Sequence, residues 1–453
     1  MTLRNNKRRA IAVLVTAVAT AATITAAAAA VADSGPYPST YTPFTAPPTL
    51  IRGATILTGD GRRIDEGDLL MADGRIVAVG RSLAVPAGAR EVDARGRWVT
   101  PGLIDVHSHM GGAPSGGSTS QVEINEMTGP VTGQLWIEHS VWPQDPAFQT
   151  ALEGGVTTVQ ILPGSANLVG GRAVVLRNVP GDSYRDMKFP DAVAGVKMAC
   201  GENPKRLYGG RNQTPATRMG IVALLRKTFA DAQEYRRQDN PQRDPQMDTL
   251  VGVLEGRVPV HMHCYRADDM LAMLDVADEF GFRITAFHHA VEAYKIADVL
   301  AERGVCAAMW HDWWGFKMEA YDGIQENMAM VDYPSGGCSI AHSDSPMLVQ
   351  RLNQEAAKGM ARGWSMGMDI PPERAIRWVT SNAARTLGLG DRVGTLAPGL
   401  MADVVIWNGN PLSAYALTEQ VYMDGALVFD RRRPPERPRS DFMLGLSSPE
   451  AAP

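Results

Sequence analysis

The chain has 453 residues, 45% hydrophobic and 21% charged, with 44 Lys plus Arg against 49 Asp plus Glu for a formal charge of −5. This composition is too apolar for intrinsic disorder and lacks the basic excess of a nucleic-acid-binding domain, so no nucleic-acid partner is expected. The length allows about three domains of roughly 150 residues, or fewer if a barrel takes 250 or more as one unit.

Residues 1–32 read as a secretory signal peptide. Arg4, Lys7, Arg8 and Arg9 precede an uncharged Ala/Val/Ile/Thr run, and Ala30-Val31-Ala32 fits a small-residue cleavage site. The run is long enough to cross a bilayer, so an uncleaved leader is the alternative and the one membrane contact expected. Its Ala/Thr-rich character favours cleavage, and the mature protein is expected to be periplasmic or secreted. Residues 33–49 are rich in Pro, Ser and Thr and read as a linker. From 50 to 100, short alternating runs are punctuated by Asp-Gly and Gly-Arg turns, the pattern of antiparallel hairpins. The same texture returns over 391–432, so the two ends are expected to share one small composite β-sandwich domain. Residues 433–453 form a tail.

Between them, over 101–390, apolar runs alternate with amphipathic stretches, the βα pattern of a parallel sheet. LIDVHSH, VTTVQILPG, AVAGVKMAC, VPVHMHC, RITAFHH, VCAAMW and CSIAHSD read as buried strands. Helices are expected from Thr214-Pro215 onward and over 268–280, 292–303, 345–362 and 373–387, with 236–248 as a surface loop. This is an α/β chain, best read as a (β/α)8 TIM barrel. Cys200, Cys264, Cys306 and Cys338 each fall in or beside an apolar strand, where four buried free thiols are expected; two disulfides are possible by count.

The barrel reading gives the polar residues a location, because active sites of such folds lie at the C-terminal ends of the strands. Seven of the 9 histidines fall there: His107, His109, His261, His263, His288, His289 and His342. Random placement of so few histidines gives on the order of 0.2 His-x-His pairs. Two occur, His107-Ser108-His109 and His261-Met262-His263. Residues two apart on a strand project to the same side, so each pair can face one metal ion.

The string VTPGLIDVHSH resembles the first barrel strand of the amidohydrolase superfamily. DPAFQTALEGGVTTVQILPGSAN, GENPKRLYG, EAYKIADVLAERGV, SDSPMLVQRLNQEAAKGM and VGTLAPGLMADVVIWNGNPLS are similar to segments of its imidazolonepropionase-like group. The resemblance spans roughly residues 50–432. It implies a metal-bearing barrel with His107, His109, His261 and His289 as ligands and Asp344 as the last-strand ligand and acid/base. One or two divalent ions are expected, zinc first among them, since imidazole and carboxylate suit it. His263, after the fifth-strand ligand, is expected to touch substrate; His288 is placed with it, its role open.

Lys197, in a segment similar to the family's lysine-bearing strand, needs a chemical argument. A protonated amine about 4 Å from a dication suffers roughly 8 kcal/mol of repulsion at an effective dielectric of 20. An ammonium also offers no lone pair. In the site, Lys197 would therefore be carboxylated, its carbamate oxygens bridging two ions. Glu202 could supply the bridge instead, or Lys197 could be a plain strand-edge residue. A carboxylate at Asp344 can take a proton from an attacking water and return it to a leaving nitrogen, and can also cap the helix that follows. Tyr265 and Arg266, with the loop HDWWGFKMEAYD, are candidate substrate contacts: Trp310, Trp313, Trp314 and Phe316 as an aromatic wall, Arg266 as a carboxylate holder. Asn167, Gly170 and Gly171 are a second candidate substrate loop.

These residues imply an exported metal-dependent hydrolase cleaving an amide C–N bond in a small, peptide-like or cyclic substrate; they leave a homo-oligomer open. One rival is a one-metal deaminase or imidazolonepropionase-type ring opener, disfavoured because no acid follows His261 until Asp268. Another is a non-catalytic binding protein, which has no need of this ligand set.

Overall fold

The computed structural model describes residues 35–115, 119–313 and 315–433. The leader, Trp314 and nearly all of the tail lie outside the described residues. Five strands precede the βα region: β1 (Thr49–Leu57), β2 (Arg63–Ala72), β3 (Arg75–Gly80), β4 (Arg90–Asp93) and β5 (Trp98–Pro101). Nine follow: β6 (Leu103–Ser108), β7 (Val156–Ile161), β8 (Val169–Arg172), β9 (Val174–Arg177), β10 (Val196–Ala199), β11 (Val260–Cys264), β12 (Ile284–His289), β13 (Cys306–Met309) and β14 (Ser339–Ala341). The chain ends on β15 (Val404–Trp407), β16 (Thr418–Met423) and β17 (Ala426–Asp430). The helices of seven or more residues are α1 (Pro146–Glu153), α2 (Glu202–Gly209), α3 (Arg218–Arg237), α4 (Pro245–Leu254), α5 (Ala267–Phe280), α6 (Ala297–Arg303) and α7 (Leu352–Ser365).

Every residue of β6, β7, β10, β11, β13 and β14 is buried. Helices covering a parallel sheet produce that double-sided burial, which is why these strands read as unbroken apolar runs. β10 to β14 pair in parallel in chain order, and β6 pairs in parallel with β7. Two short strands not expected from sequence join these groups. β9 pairs antiparallel with β7 and β8 with β10, so residues 169–177 serve both sheets. At the other edge, Asp344 N donates to His107 O at 2.9 Å and Ser343 N to Asp105 Oδ1 at 3.2 Å. These bonds set the end of β14 beside β6.

The termini build one hydrogen-bonded sheet of eight strands, in which β15 from the C-terminal end pairs antiparallel with β5 from the N-terminal end. The pairing is a single sheet rather than two hydrogen-bonded layers. Its apolar face is filled by Ile51, Ile56, Leu69, Val99, Val404, Ile406 and Tyr422. A buried ionic knot ties it to the βα region. Arg177 at the end of β9 donates to Asp403 and, at 3.1 Å, to Asp424, while the Tyr41 hydroxyl donates to Asp424. Residues 35–48 are therefore not a free linker: Thr40 N also bonds Arg185 O at 2.9 Å, and Ser39 Oγ bonds Lys188 O at 2.6 Å.

Several helix boundaries move: the helices expected over 292–303 and 345–362 start at Ala297 and Leu352, and 373–387 breaks into short α and 3-10 turns. α3 starts after Thr217, whose hydroxyl accepts from Gly220 N at 3.0 Å, so Thr217 and not Thr214 is the cap. The expected loop at 236–248 is confined to 238–244, because Asp244 caps α4 through Gln246 N and Met247 N with Pro245 in the first turn. Cys200 pairs with Cys264 and Cys306 with Cys338, with Cα separations of 5.3 and 4.6 Å. The expectation of four thiols is thus wrong. Each pair joins neighbouring parallel strands, a proximity that the apolar sequence context does not reveal.

Candidate metal centre

Strand geometry gathers the histidines as their spacing implies. His107 Nε2 and His109 Nε2 lie 3.3 and 3.1 Å from Asp344 Oδ1. Two ligand atoms held about 2.0–2.1 Å from one tetrahedral ion stand roughly 3.3 Å apart, so this trio has the spacing of a metal site. His107, His289 and His342 form a second group whose ligand atoms also lie within 4.8 Å of one another. His107 is common to both.

The fit is tested by what the buried ring nitrogens touch. His107 Nε2, His289 Nδ1, His342 Nδ1 and both nitrogens of His263 are enclosed without a hydrogen bond. Buried polar atoms are normally paired, so this many orphans in one place call for a ligand that the chain itself does not supply. The opposite nitrogens are engaged where it matters. His109 Nδ1 donates to Leu162 O at 2.8 Å, which leaves Nε2 as the lone-pair nitrogen facing Asp344. Burial holds the imidazoles in the neutral form that binds metal: His107, His263, His288 and His289 fall well below the usual value, His261 to about 3 and His342 to about 4. A divalent ion fits this donor set.

The backbone is bent to make the arrangement. His289 and Asp344 have φ of +69° and +51°, the left-handed region that costs non-glycine residues on the order of 1–3 kcal/mol. Asp105 helps hold Asp344 there: its carboxylate accepts from His107 N at 3.1 Å, from Ser343 N and from the Ser343 hydroxyl. Burial pushes the Asp105 carboxyl up to about 7. The His289 ring packs against both Trp310, at 4.3 Å, and Tyr265, at 5.3 Å, two rings that also touch each other at 6.1 Å.

Lys197, fully buried on β10, donates to Pro163 O at 3.0 Å, and burial brings its ammonium down to about 7. His261, expected as the fifth-strand ligand, belongs to neither ligand group among the described residues; it bonds through Nδ1 to His288 Nε2 at 3.0 Å, and His288 Nδ1 in turn meets His107 Nδ1 at 2.9 Å. His288 is therefore a buried bridge between two rings, and its placement among substrate contacts is corrected: it does not line the cavity.

A cavity of about 460 Å³ opens above this floor. His109, His263, His289 and Asp344 form its base, and Tyr265, Phe316, Lys317, Glu202, Asn203 and Arg206 form one wall. Glu202 belongs to neither ligand group among the described residues; its carboxylate lies 3.7 Å from Lys317 Nζ. Lys317 Nζ also stands 3.8 Å above the Tyr265 ring. Arg266 is corrected as well. It is half-exposed and grips Asp268 through two nitrogens at 2.9 and 2.7 Å, outside the cavity. Trp310 and Trp313 stack at 5.0 Å but do not line the cavity; of the expected aromatic wall, Phe316 is the described residue that does. Asn167 is scaffold rather than substrate loop: its amide bonds Glu126 O, Thr132 Oγ1 and the Tyr208 hydroxyl. Gly170 and Gly171 also lie away from the cavity, Gly171 packed against Leu135. Sequence reasoning left His342 without a role and did not single out Asp105, Asn203, Arg206 or Lys317. Two of these carried a signal: His342 by its place at a strand end and Lys317 by its place in the loop HDWWGFKMEAYD.

A sequence model described as the Amidohydrolase family matches residues 337–428. The amidohydrolase tasK of Hapsidospora irregularis is 35% identical over 432 residues, covering 84% of this chain and 43% of that protein. The chain thus spans less than half the length of that relative. An imidazolonepropionase of Pseudomonas putida is 25% identical, covering 78% of this chain and 90% of the relative. Among solved structures, an amidohydrolase from Thermotoga maritima MSB8 is similar at a TM-score of 0.78 and 36% identity, covering 84% of this chain and 100% of that one. An adenosine deaminase from Xanthomonas campestris with bound zinc shares the fold at a TM-score of 0.52 and 16% identity, covering 86% and 94%. These neighbours imply a TIM-barrel-like fold of mixed α/β content.

Proposed function

We propose, on the premise that the chain belongs to the amidohydrolase family, that it is an exported metal-dependent hydrolase cleaving an amide C–N bond in a small peptide-like or cyclic substrate. The observation that carries this reading is the convergence of unbonded, buried imidazole nitrogens on Asp344 at the floor of an open cavity.

A bound divalent ion would lower the pKa of water toward about 7 and polarise the scissile carbonyl. His107, His109, His289, His342 and Asp344 are the residues placed to hold it, with zinc the first expectation. His109 is kept in register by Leu162 O, and His289 by the Trp310 and Tyr265 rings. Asp344 Oδ1 faces the His107 and His109 imidazoles, whereas Oδ2 lies 3.9 Å from His289 Nδ1. Oδ2 is thus the oxygen left to accept a proton from the attacking water and deliver it to the departing nitrogen. His263, in the cavity with both nitrogens free of protein partners, donates to or accepts from the substrate.

Lys197 is read as a carbamate joining a second ion, in keeping with a buried amine whose ammonium is disfavoured. Metal analysis of protein purified without chelator should return one or two divalent ions per chain. A Lys197→Ala variant should hold fewer; two tightly held ions in that variant would overturn the carbamate. The one-metal deaminase reading loses ground further, since Asp268, the first acid after the fifth-strand histidines, is spent on Arg266 at the surface.

The fold is read as a closed eight-stranded barrel over 101–390, with the terminal strands forming one composite β domain. Export is supported by the two disulfides, which persist in oxidising compartments. N-terminal sequencing of the mature protein should begin at Asp33; a retained leader on cytoplasmic protein would overturn export.

A further inference from the structure

Asn203 and Arg206 stand three residues apart on α2, hence on neighbouring positions of one helix face, and both line the cavity. The carboxylates beside them are already committed. Glu202 and Glu319 lie 3.7 and 3.6 Å from Lys317 Nζ, and Glu319 Oε1 also accepts from Glu202 N and from Arg218 at 2.7 Å. The guanidinium of the exposed Arg206, which could have paired with Glu202, has neither an ion pair nor a hydrogen bond to protein among the described residues. Lys317 Nζ donates to Asn203 Oδ1 at 3.2 Å, which leaves the Asn203 amide NH2 without an acceptor. One wall of the cavity therefore presents a guanidinium and an amide donor that no protein acceptor takes, while the buried, unbonded His263 faces the same space from the floor.

We infer that this wall is a carboxylate subsite, so that the substrates are acids of the N-acylamino acid or dipeptide class, their free carboxylate held by Arg206 and Asn203. The inference rests on the hydrolase reading for its chemistry, but not for its electrostatics. A planar guanidinium matches a carboxylate through two parallel N–H bonds, which discriminates an acid from its neutral amide. Lys317, held by Glu202, Glu319 and the Tyr265 ring, adds positive potential without competing for the substrate oxygens.

The test compares metal-loaded wild type with Arg206→Met on dipeptides and on the same dipeptides as C-terminal amides. Wild type should prefer the acids by about tenfold or more in kcat/KM, and the variant should bring the two forms within about twofold, mainly through KM. A preference that is absent in wild type, or that survives the substitution, overturns the subsite and leaves the hydrolase reading standing. A second measurement needs no turnover. N-acetyl-L-leucine should bind wild type about tenfold more tightly than N-acetyl-L-leucinamide by calorimetry, and Arg206→Met should erase that difference. If no dipeptide or amide is cleaved but this binding difference appears and vanishes as stated, the hydrolase reading fails and the subsite holds. A carboxylate bound at the metal floor alone would be insensitive to Arg206 and would also refute the subsite.

Discussion

The histidine floor and the Arg177 knot are both enclosed, yet they treat their polar atoms in opposite ways. In the knot, an arginine with no exposed surface meets two carboxylates and a phenol, and three of its terminal N–H donations are taken. Asp403 and Asp424 gain in return the charge that burial would otherwise make costly. On the floor, neutral rings converge with their nitrogens unbonded, and two residues hold strained backbone to keep them there. Buried charge met by opposite charge builds structure even with the Arg177 Nε left unbonded, whereas several converging lone pairs left open belong to a ligand site. That contrast separates the part of the molecule that joins its two ends from the part that does chemistry.

The comparison can be broken most sharply at Asp344. Asp344→Asn should cut kcat by about 10²–10⁴-fold, the range for loss of a proton carrier, while the fold persists because asparagine tolerates the same left-handed backbone. Near-normal turnover in that variant would remove the residue from the mechanism. Stripping the metal with a chelator should lower thermal stability, since an ion present at about 1,000 times its Kd stabilises by roughly 4 kcal/mol. An unchanged melting curve with the metal demonstrably gone would mean that the orphaned nitrogens need no ligand.

The knot should respond in the reverse sense. Arg177→Met leaves two buried carboxylates uncompensated and should cost about 3–5 kcal/mol in chemical denaturation, with metal content per folded molecule unaltered. Loss of metal before loss of fold would show that the two regions are not separable. Smallest of all, Arg266→Ala should move stability by less than about 0.5 kcal/mol and kcat/KM by less than twofold, because it removes only a surface ion pair with Asp268. A large kinetic effect there would return Arg266 to the site.

Much of the floor was readable in advance. His107 and His109 alternate with Ser108, and strand period alone turns both rings one way; the apolar runs before each histidine marked the strand ends. The wall was not readable in this way. Arg266 lies beside the fifth strand in sequence but pairs with Asp268 away from the cavity, whereas the exposed Arg206, one helical turn into α2, lines the cavity. His288 and His289 are adjacent in a strand and so face opposite neighbours, which makes one a buried bridge and the other a cavity residue. The cysteine pairs likewise depend on which strands are adjacent, as do the bonds from Asp105 to Ser343, 238 positions away.

The sequence by itself determined the alternation of strands and helices, the clustering of histidines at strand ends and the family resemblance, because burial period and residue spacing are local properties of the chain. Only the tertiary structure decided which lone pairs stay open, which charges are spent on one another and which cation faces the cavity. Those outcomes depend on contacts across strands and loops far apart in sequence, where a shift of a few ångströms decides whether a group is paired with the protein or left for a substrate.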